Sequence, residues 1–197
     1  MDKEENKKIK VIGITGPIGS GKDTVAEYIG DKLGVKEFQI SAPIKDYIRA
    51  QGLPVTRDNC QIYGNIIAEK FGPDYSAKIF LEALQKSGQT LGIVSGMRQM
   101  AQIEFLEQNT DFFLIAVDAP AEVRYARVTA RGTVVEKATL AEFVAQEVGE
   151  NSGDSIMRLF DCMKKAKITL PNYDDIEELY KKCDELIVQI NTHYGII

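Results

Sequence analysis

The sequence predicts an α/β fold built on a parallel sheet with helices on both faces, and three observations carry that expectation. Short β-branched runs alternate with segments of helical periodicity along the chain. The connections between them are short. The first run passes directly into a glycine-rich turn and then a helix, GITGPIGSGKDT, the context in which such a turn holds phosphate. Residues 1–197 fall within the size of one domain. The 24 Lys and Arg against 29 Asp and Glu give a charge of −5, which disfavours non-specific adhesion to nucleic acid or anionic membrane. A polyanionic ligand therefore needs a local basic site.

Taken in order, the charged residues 1–8 precede a first strand over 9–15 (IKVIGIT), β-branched as a buried parallel strand should be. From Lys22 the positions Val25, Ala26, Ile29 and Leu33 have helical spacing and stop at Gly34, a C-cap. VKEFQI is the second strand. Residues 42–53 form a short helix closed by Gly52, and Pro54 prevents its continuation. Thr56 or Asp58 caps the next helix, which carries Cys60, Tyr63, Ile67 and Phe71 on one side; another helix runs over about 74–86. Strands follow at 90–94 and 112–117, with a helix over 99–107 between them. Helices over 121–131, 140–148 and 154–165, a strand over 167–170 and a closing helix through Ile176, Leu179, Cys183, Leu186 and Ile190 complete the chain. The polar, glycine-punctuated stretch TVVEKATLAEFVAQEVGENSGDS reads as a flap. Five parallel strands place a ligand at their carboxyl ends, where the loops beginning at Gly16, Ser41, Ser95 and Asp118 belong.

No apolar stretch approaches the roughly 18 residues of a membrane span, and the leader lacks the apolar run of a signal peptide. A cytoplasmic protein without membrane or nucleic-acid contact is expected. Cys60, Cys162 and Cys183 form no CxxC pair and have only His193 to join them, so reduced, buried thiols are expected. His193 itself reads as structural or solvent-facing.

The turn contains GxxxxGK from Gly16 to Lys22. Glycine lets backbone N–H groups approach phosphate oxygens, the following helix adds positive potential at its N-terminus, and Lys22 supplies a point charge for the β and γ phosphates. The loop Gly16, Pro17, Ile18, Gly19, Ser20, Gly21, Lys22, Asp23 and Thr24 is thus the candidate binding site for ATP. Asp23 stands where Ser or Thr usually follows the lysine. It either attracts Mg²⁺, making nucleotide binding metal-dependent, or simply suits a helix N-terminus as a first-turn acid. Thr24, about 100° further round the helix, does not replace the usual hydroxyl.

An acceptor phosphate needs further cations. Lys45 and Arg49, one turn apart after the second strand, either point together at the site or form a solvated face. Arg98 follows Ser95 and Gly96 at a strand end and either faces the cleft or starts a surface helix. Arg124, Arg127 and Arg131 share one side of a helix, a solvated stripe by default and salt bridges to nearby Glu as the next option, with a closing role over the phosphates open to Arg127 and Arg131. Arg57 either contacts the acceptor or nothing, and Asp118 is read as a turn former.

The segments GITGPIGSGKDTVAEYI, SAPIKDYIRAQGLPVTRDN, EKFGPDYSAK, SGMRQMAQIEFL and LIAVDAPAEVRYARVTARG resemble, in that order, P-loop nucleotide and nucleoside kinases, and most of all the dephospho-CoA-kinase-like and archaeal-type nucleotide-kinase-related branch. The resemblance covers roughly residues 9–190. It implies a three-layer sandwich with sheet order 2-3-1-4-5, a helical acceptor region at about 42–87 and a lid at about 128–150. It also implies ATP and Mg²⁺ as cofactors, Lys45 and Arg98 on the acceptor, and Arg127 and Arg131 on the transferring phosphate. The family often has DGxR where this chain has Ser95 before GMR, and RxxD after RG where this chain has TVVEK. Three activities follow: phosphoryl transfer from ATP to a nucleoside monophosphate or nucleotide-like small molecule; dephospho-CoA phosphorylation, which wants a carboxylate base because the acceptor is a hydroxyl; and ATP binding by a non-catalytic regulator.

Overall fold

A computed structural model describes residues 8–132, 139–152 and 156–195. The strands are β1 (Lys10–Thr15), β2 (Glu37–Gln39), β3 (Leu91–Ser95), β4 (Asp111–Asp118) and β5 (Ile168–Pro171). The helices are α1 (Lys22–Leu33), α2 (Ala42–Ala50), α3 (Arg57–Phe71), α4 (Tyr75–Ser87), α5 (Met100–Asn109), α6 (Ala121–Ala130), α7 (Leu140–Glu150), α8 (Leu159–Lys164) and α9 (Ile176–Tyr194). The five strands form one parallel sheet in the order β2-β3-β1-β4-β5, with Ile14 beside Ser95 and Ile115. This is the expected P-loop kinase fold, helices covering both faces of the sheet. Among the described residues, no helix is long and apolar enough to cross a membrane.

Alternation along β1 explains the two cores. Successive side chains of a strand point to opposite faces. Ile12 and Ile14 pack with Val25 and Ile29 of α1 and with Leu186 and Ile190 of α9. Val11 joins the other face, with Phe80 and Leu84 of α4, Ile103 and Leu106 of α5 and Cys162 of α8. The stripe expected on the closing helix is buried at Leu179, Cys183, Leu186 and Ile190, and it extends to Tyr194, whose hydroxyl donates to Val11 O at 2.8 Å. His193 is structural: it packs on Phe113, with its Nε2 3.1 Å from Asp111 Oδ1.

Three elements are shorter than expected, each for a local reason. β2 starts at Glu37 because the Val35 N–H is taken by Gly30 O behind the αL cap of α1. α2 ends at Ala50, with the Gly52 N–H turned back to Arg49 O. The helix expected over 154–165 begins only at Leu159, because Arg158 N is held at 2.7 Å by Arg98 O, with Ile156 and Met157 lining the cleft; 153–155 lie outside the described residues. Thr56 rather than Asp58 caps α3, accepting from Asn59 N at 3.1 Å. Of the flap, α7 is described and 133–138 are not.

Candidate phosphate-binding and acceptor site

β1, β2, β3 and β4 end on the same edge of the sheet, and the site is built on that edge. The loop after β1 is a tight cradle: Ser20 N bonds Pro17 O at 3.2 Å, and Gly21 O accepts from Val25 N at 3.0 Å to open α1. Gly19 and Gly21 are among the glycines that its geometry requires. Gly19 has φ 78°, and a Cβ there would lie 2.7 Å from Arg124 O. Gly21 has φ 88°, and a Cβ would collide with Asn172 Nδ2. Ser20 Oγ is buried with no partner among the described residues. Lys22 begins α1 with its side chain only 11% exposed, and Nζ lies 3.4 Å from Asp23 Oδ2. Burial pulls its ammonium below the ordinary value, Arg98 adds to that, and Asp23 and Glu37 oppose it. A cation held in that state gains when a phosphate arrives to pair with it.

Two buried side chains hold this loop from behind, and neither was expected in that role. Asn172, just after β5, donates from Nδ2 to Ser20 O at 2.7 Å. Its own carbonyl and Oδ1 accept from the Arg127 guanidinium at 3.0 and 3.4 Å. Arg124, 5% exposed, donates to Ala119 O at 2.9 Å and Ile18 O at 3.4 Å, and forks onto Glu147 of α7 at 2.7 and 2.8 Å. Of the two readings of Arg124, the solvated stripe is corrected and the salt bridge to a glutamate is the one found. The 3.6-residue repeat puts Arg124 on the same side as Arg127 and Arg131, but α7 closes over that side and brings a carboxylate with it.

In front of the loop lies a cleft of about 490 Å³. Ile18, Lys22 and Asp23 line it from the loop and the start of α1, and Ile40, Ser41, Ile44 and Lys45 from the start of α2. Cys60, Gln61 and Asn65 of α3, then Ser95, Arg98, Gln99 and Gln102 around the end of β3, add to the lining. Gln99 is buried and its Oε1 has no partner among the described residues. Ser95 is 1% exposed, and its hydroxyl donates a very short hydrogen bond to Glu37 Oε1. The Glu37 carboxyl is pushed above the ordinary range mainly by burial and also by Asp23 and Glu27, while the Ser95 bond and Lys22 pull it back.

A glycine cradle with a buried lysine at the carboxyl edge of a 2-3-1-4-5 sheet is the mark of a P-loop protein, and comparison with known proteins agrees. The profile of the AAA domain family matches residues 12–157. This chain belongs to that family. A UPF0200/UPF0201 protein of Archaeoglobus fulgidus is 27% identical over 187 residues, covering 93% of this chain and 56% of that protein, so the chain spans little more than half the length of this relative. A UPF0200 protein of Sulfurisphaera tokodaii is 27% identical over 184 residues, covering 92% of this chain and 98% of that one. Among solved structures, shikimate kinase from Acinetobacter baumannii in complex with shikimate has a TM-score of 0.56 at 19% identity, over 94% of this chain and 95% of that chain. That likeness establishes the P-loop kinase fold.

In this AAA-domain chain the expected site residues separate into two groups. Lys22, Asp23, Lys45, Arg98 and Arg131 line one cleft with Ile18 and Gly19 of the loop. Arg49 does not join them: it is exposed outside the cleft lining and pairs with Asp46, one helical turn away, at 2.7 Å. Arg127 is turned onto Asn172, behind the cradle, where burial and then the neighbouring Arg131 pull its guanidinium below the ordinary value. Lys45 Nζ rests on Gln39 Oε1 at 3.0 Å at the cleft mouth. Asp118 ends β4 and accepts from Ala119 N at 2.9 Å. The expectation for Arg57 concerns a side chain outside those described. Cys162 and Cys183 are buried free thiols, whereas Cys60 is half-buried and borders the cleft, which corrects the expectation of three buried thiols.

The residues missed were Glu37, Gln99, Asn172 and Glu147. Only Gln99 had a signal, its place directly after Arg98 at a strand end. Among the described residues no group of three His, Cys, Asp or Glu could hold a metal ion by itself. One exposed carboxylate, Asp23, stands at the cleft, which fits a metal that arrives with the nucleotide, since Mg²⁺ is commonly held by one or two carboxylates plus substrate phosphates.

Proposed function

We propose that this chain transfers the γ-phosphoryl group of ATP to an anionic, nucleotide-like small molecule. The observation that carries the reading is one cleft lined by cations, Lys22 at the end of the glycine cradle together with Arg98 and Lys45 from the segments after β3 and β2. Phosphoryl transfer needs little covalent chemistry from the protein; alignment and neutralisation of charge supply most of the rate. In this reading backbone N–H groups of Gly16 to Thr24 and the Lys22 ammonium hold the triphosphate. Arg98 and Lys45 hold the acceptor's anionic group, and Arg131 approaches the transferring phosphate from the end of α6. Mg²⁺, when bound, would add neutralising charge between the phosphates, with Asp23 as the side chain available to it. The mix of apolar residues (Ile18, Ile40, Ile44, Val128) and carboxamides (Gln61, Asn65, Gln99, Gln102) around the cleft suits a heterocycle with hydrogen-bonding edges.

Two acceptor oxygens fit the cationic wall. A nucleoside monophosphate brings an oxygen that is already anionic and needs no base, whereas a nucleotide-like alcohol such as dephospho-CoA needs one, and the Glu37–Ser95 hydrogen bond favours keeping that second reading. Coupled ADP release across nucleoside monophosphates and dephospho-CoA tests the function. Turnover on one of them that is abolished by Lys22→Ala is the expected outcome. ATP binding without ADP release on any acceptor would instead make the chain a nucleotide-binding regulator.

A further inference from the structure

Ser95 presents only one kind of hydrogen-bonding partner to the cleft. A serine hydroxyl has a single proton and two lone pairs. That proton is given to Glu37 Oε1 across the β2 and β3 ends, so what remains towards the cleft is a lone pair. A phosphate oxygen has no proton to offer it, and the Glu37 charge behind it repels one. An alcohol O–H does have a proton to offer. The neighbouring cations, Lys22 and Arg98, can at the same time hold the phosphates on either side of that hydroxyl.

We propose that Ser95 and Glu37 form a relay that takes the proton of an acceptor hydroxyl, so that the substrate is an alcohol carrying an anionic group rather than a monophosphate accepting on its phosphate. This rests on the phosphoryl-transfer reading. In the step, the acceptor O–H bond breaks and its proton passes to Ser95 Oγ as the Ser95 proton passes to Glu37 Oε1. The freed oxygen pair forms the bond to the γ phosphorus. The bond from that phosphorus to its bridging oxygen breaks, and the electron pair leaves on ADP. Ser95 touches the substrate; Glu37 is a positioning residue that acts through it. The groups facing the Glu37 carboxyl are Ser95 from β3 and Lys22, Asp23 and Glu27 from α1. Burial and the Asp23 and Glu27 charges push the Glu37 carboxyl above the ordinary range, so a proton arriving there is held more firmly than on an exposed carboxylate, while the Ser95 and Lys22 contacts pull it back.

Glu37→Gln keeps the length and an oxygen for the Ser95 hydroxyl but takes up no proton, which separates proton uptake from mere support of the strand ends. The full chain is assayed with Mg·ATP against dephospho-CoA and the four ribonucleoside monophosphates, with products identified by phosphorus NMR and ATP affinity measured in parallel. The relay requires a new phosphate monoester from the alcohol, a fall in kcat of about 100-fold or more in Glu37→Gln with KM little changed, and a similar fall in Ser95→Ala. It also requires that the parent's loss of rate at low pH disappear in Glu37→Gln. Phosphoanhydride products alone, or parental kcat and pH dependence in Glu37→Gln, would overturn the relay and leave phosphoryl transfer standing. Absence of ADP from every acceptor while ATP binds would overturn both.

Discussion

The buried fork between Arg124 and Glu147 gives a sharp energetic test. Arg124 is 7% and Glu147 11% exposed at the side chain, and the two bonds are 2.7 and 2.8 Å long. Arg124→Met leaves the Glu147 carboxylate buried without its partner, a change that costs about 3–5 kcal/mol. The same substitution removes the donors to Ala119 O and Ile18 O, roughly 1 kcal/mol each. Arg124→Met combined with Glu147→Leu lacks the stranded charge and retains only the backbone losses, so the double variant should lie within about 2 kcal/mol of the parent and be more stable than Arg124→Met alone. For a chain of this size each kcal/mol shifts Tm by roughly 2–4 °C. Urea unfolding of the parent, both single variants and the double variant gives the cycle. A loss under about 1 kcal/mol in Arg124→Met, the range of an exposed pair, or simple additivity in the double variant, would refute the buried-pair argument. It would also remove the reason for treating α7 as fixed to the phosphate loop through Ile18.

Gly19→Ala should weaken ATP binding at least about tenfold in calorimetric titration, since the left-handed backbone costs roughly 1–2 kcal/mol and the new methyl group lies 2.7 Å from Arg124 O; unchanged affinity would mean that the cradle is not the nucleotide site. Asn172→Ala frees Ser20 O and the Arg127 guanidinium together, and the expected result is a raised KM for ATP with the acceptor KM unchanged. Cys60 should react with a thiol reagent at pH 8 in the native protein and be shielded by a bound acceptor. Cys162 and Cys183, whose thiols burial pushes up to about 12 and about 11, should react only on unfolding.

The glycines, Lys22 and the strand before them could be read directly, because that site is one continuous piece of chain whose geometry follows from local backbone preference. Alternating strands and helices were equally legible, since periods of 2 and 3.6 are local properties. Arg98 and Lys45 could be placed at the site because strand ends lie on one edge of a parallel sheet. The readings of Arg49 and Arg124 stayed open for a common reason: helical spacing says which face a residue shares, not what lies against it. Asp46 holds Arg49 away from the cleft, and α7 encloses Arg124. Glu37 and Ser95 lie 58 positions apart and Asn172 and Ser20 152 apart, so no window of sequence contains either hydrogen bond. What the sequence determined by itself was the phosphate cradle and the class of sheet, both products of short-range sterics and hydrophobic period. Tertiary structure alone decided where the carboxylate paired with Ser95 stands and what braces the loop, because those follow from strand order, which places distant residues within hydrogen-bonding reach.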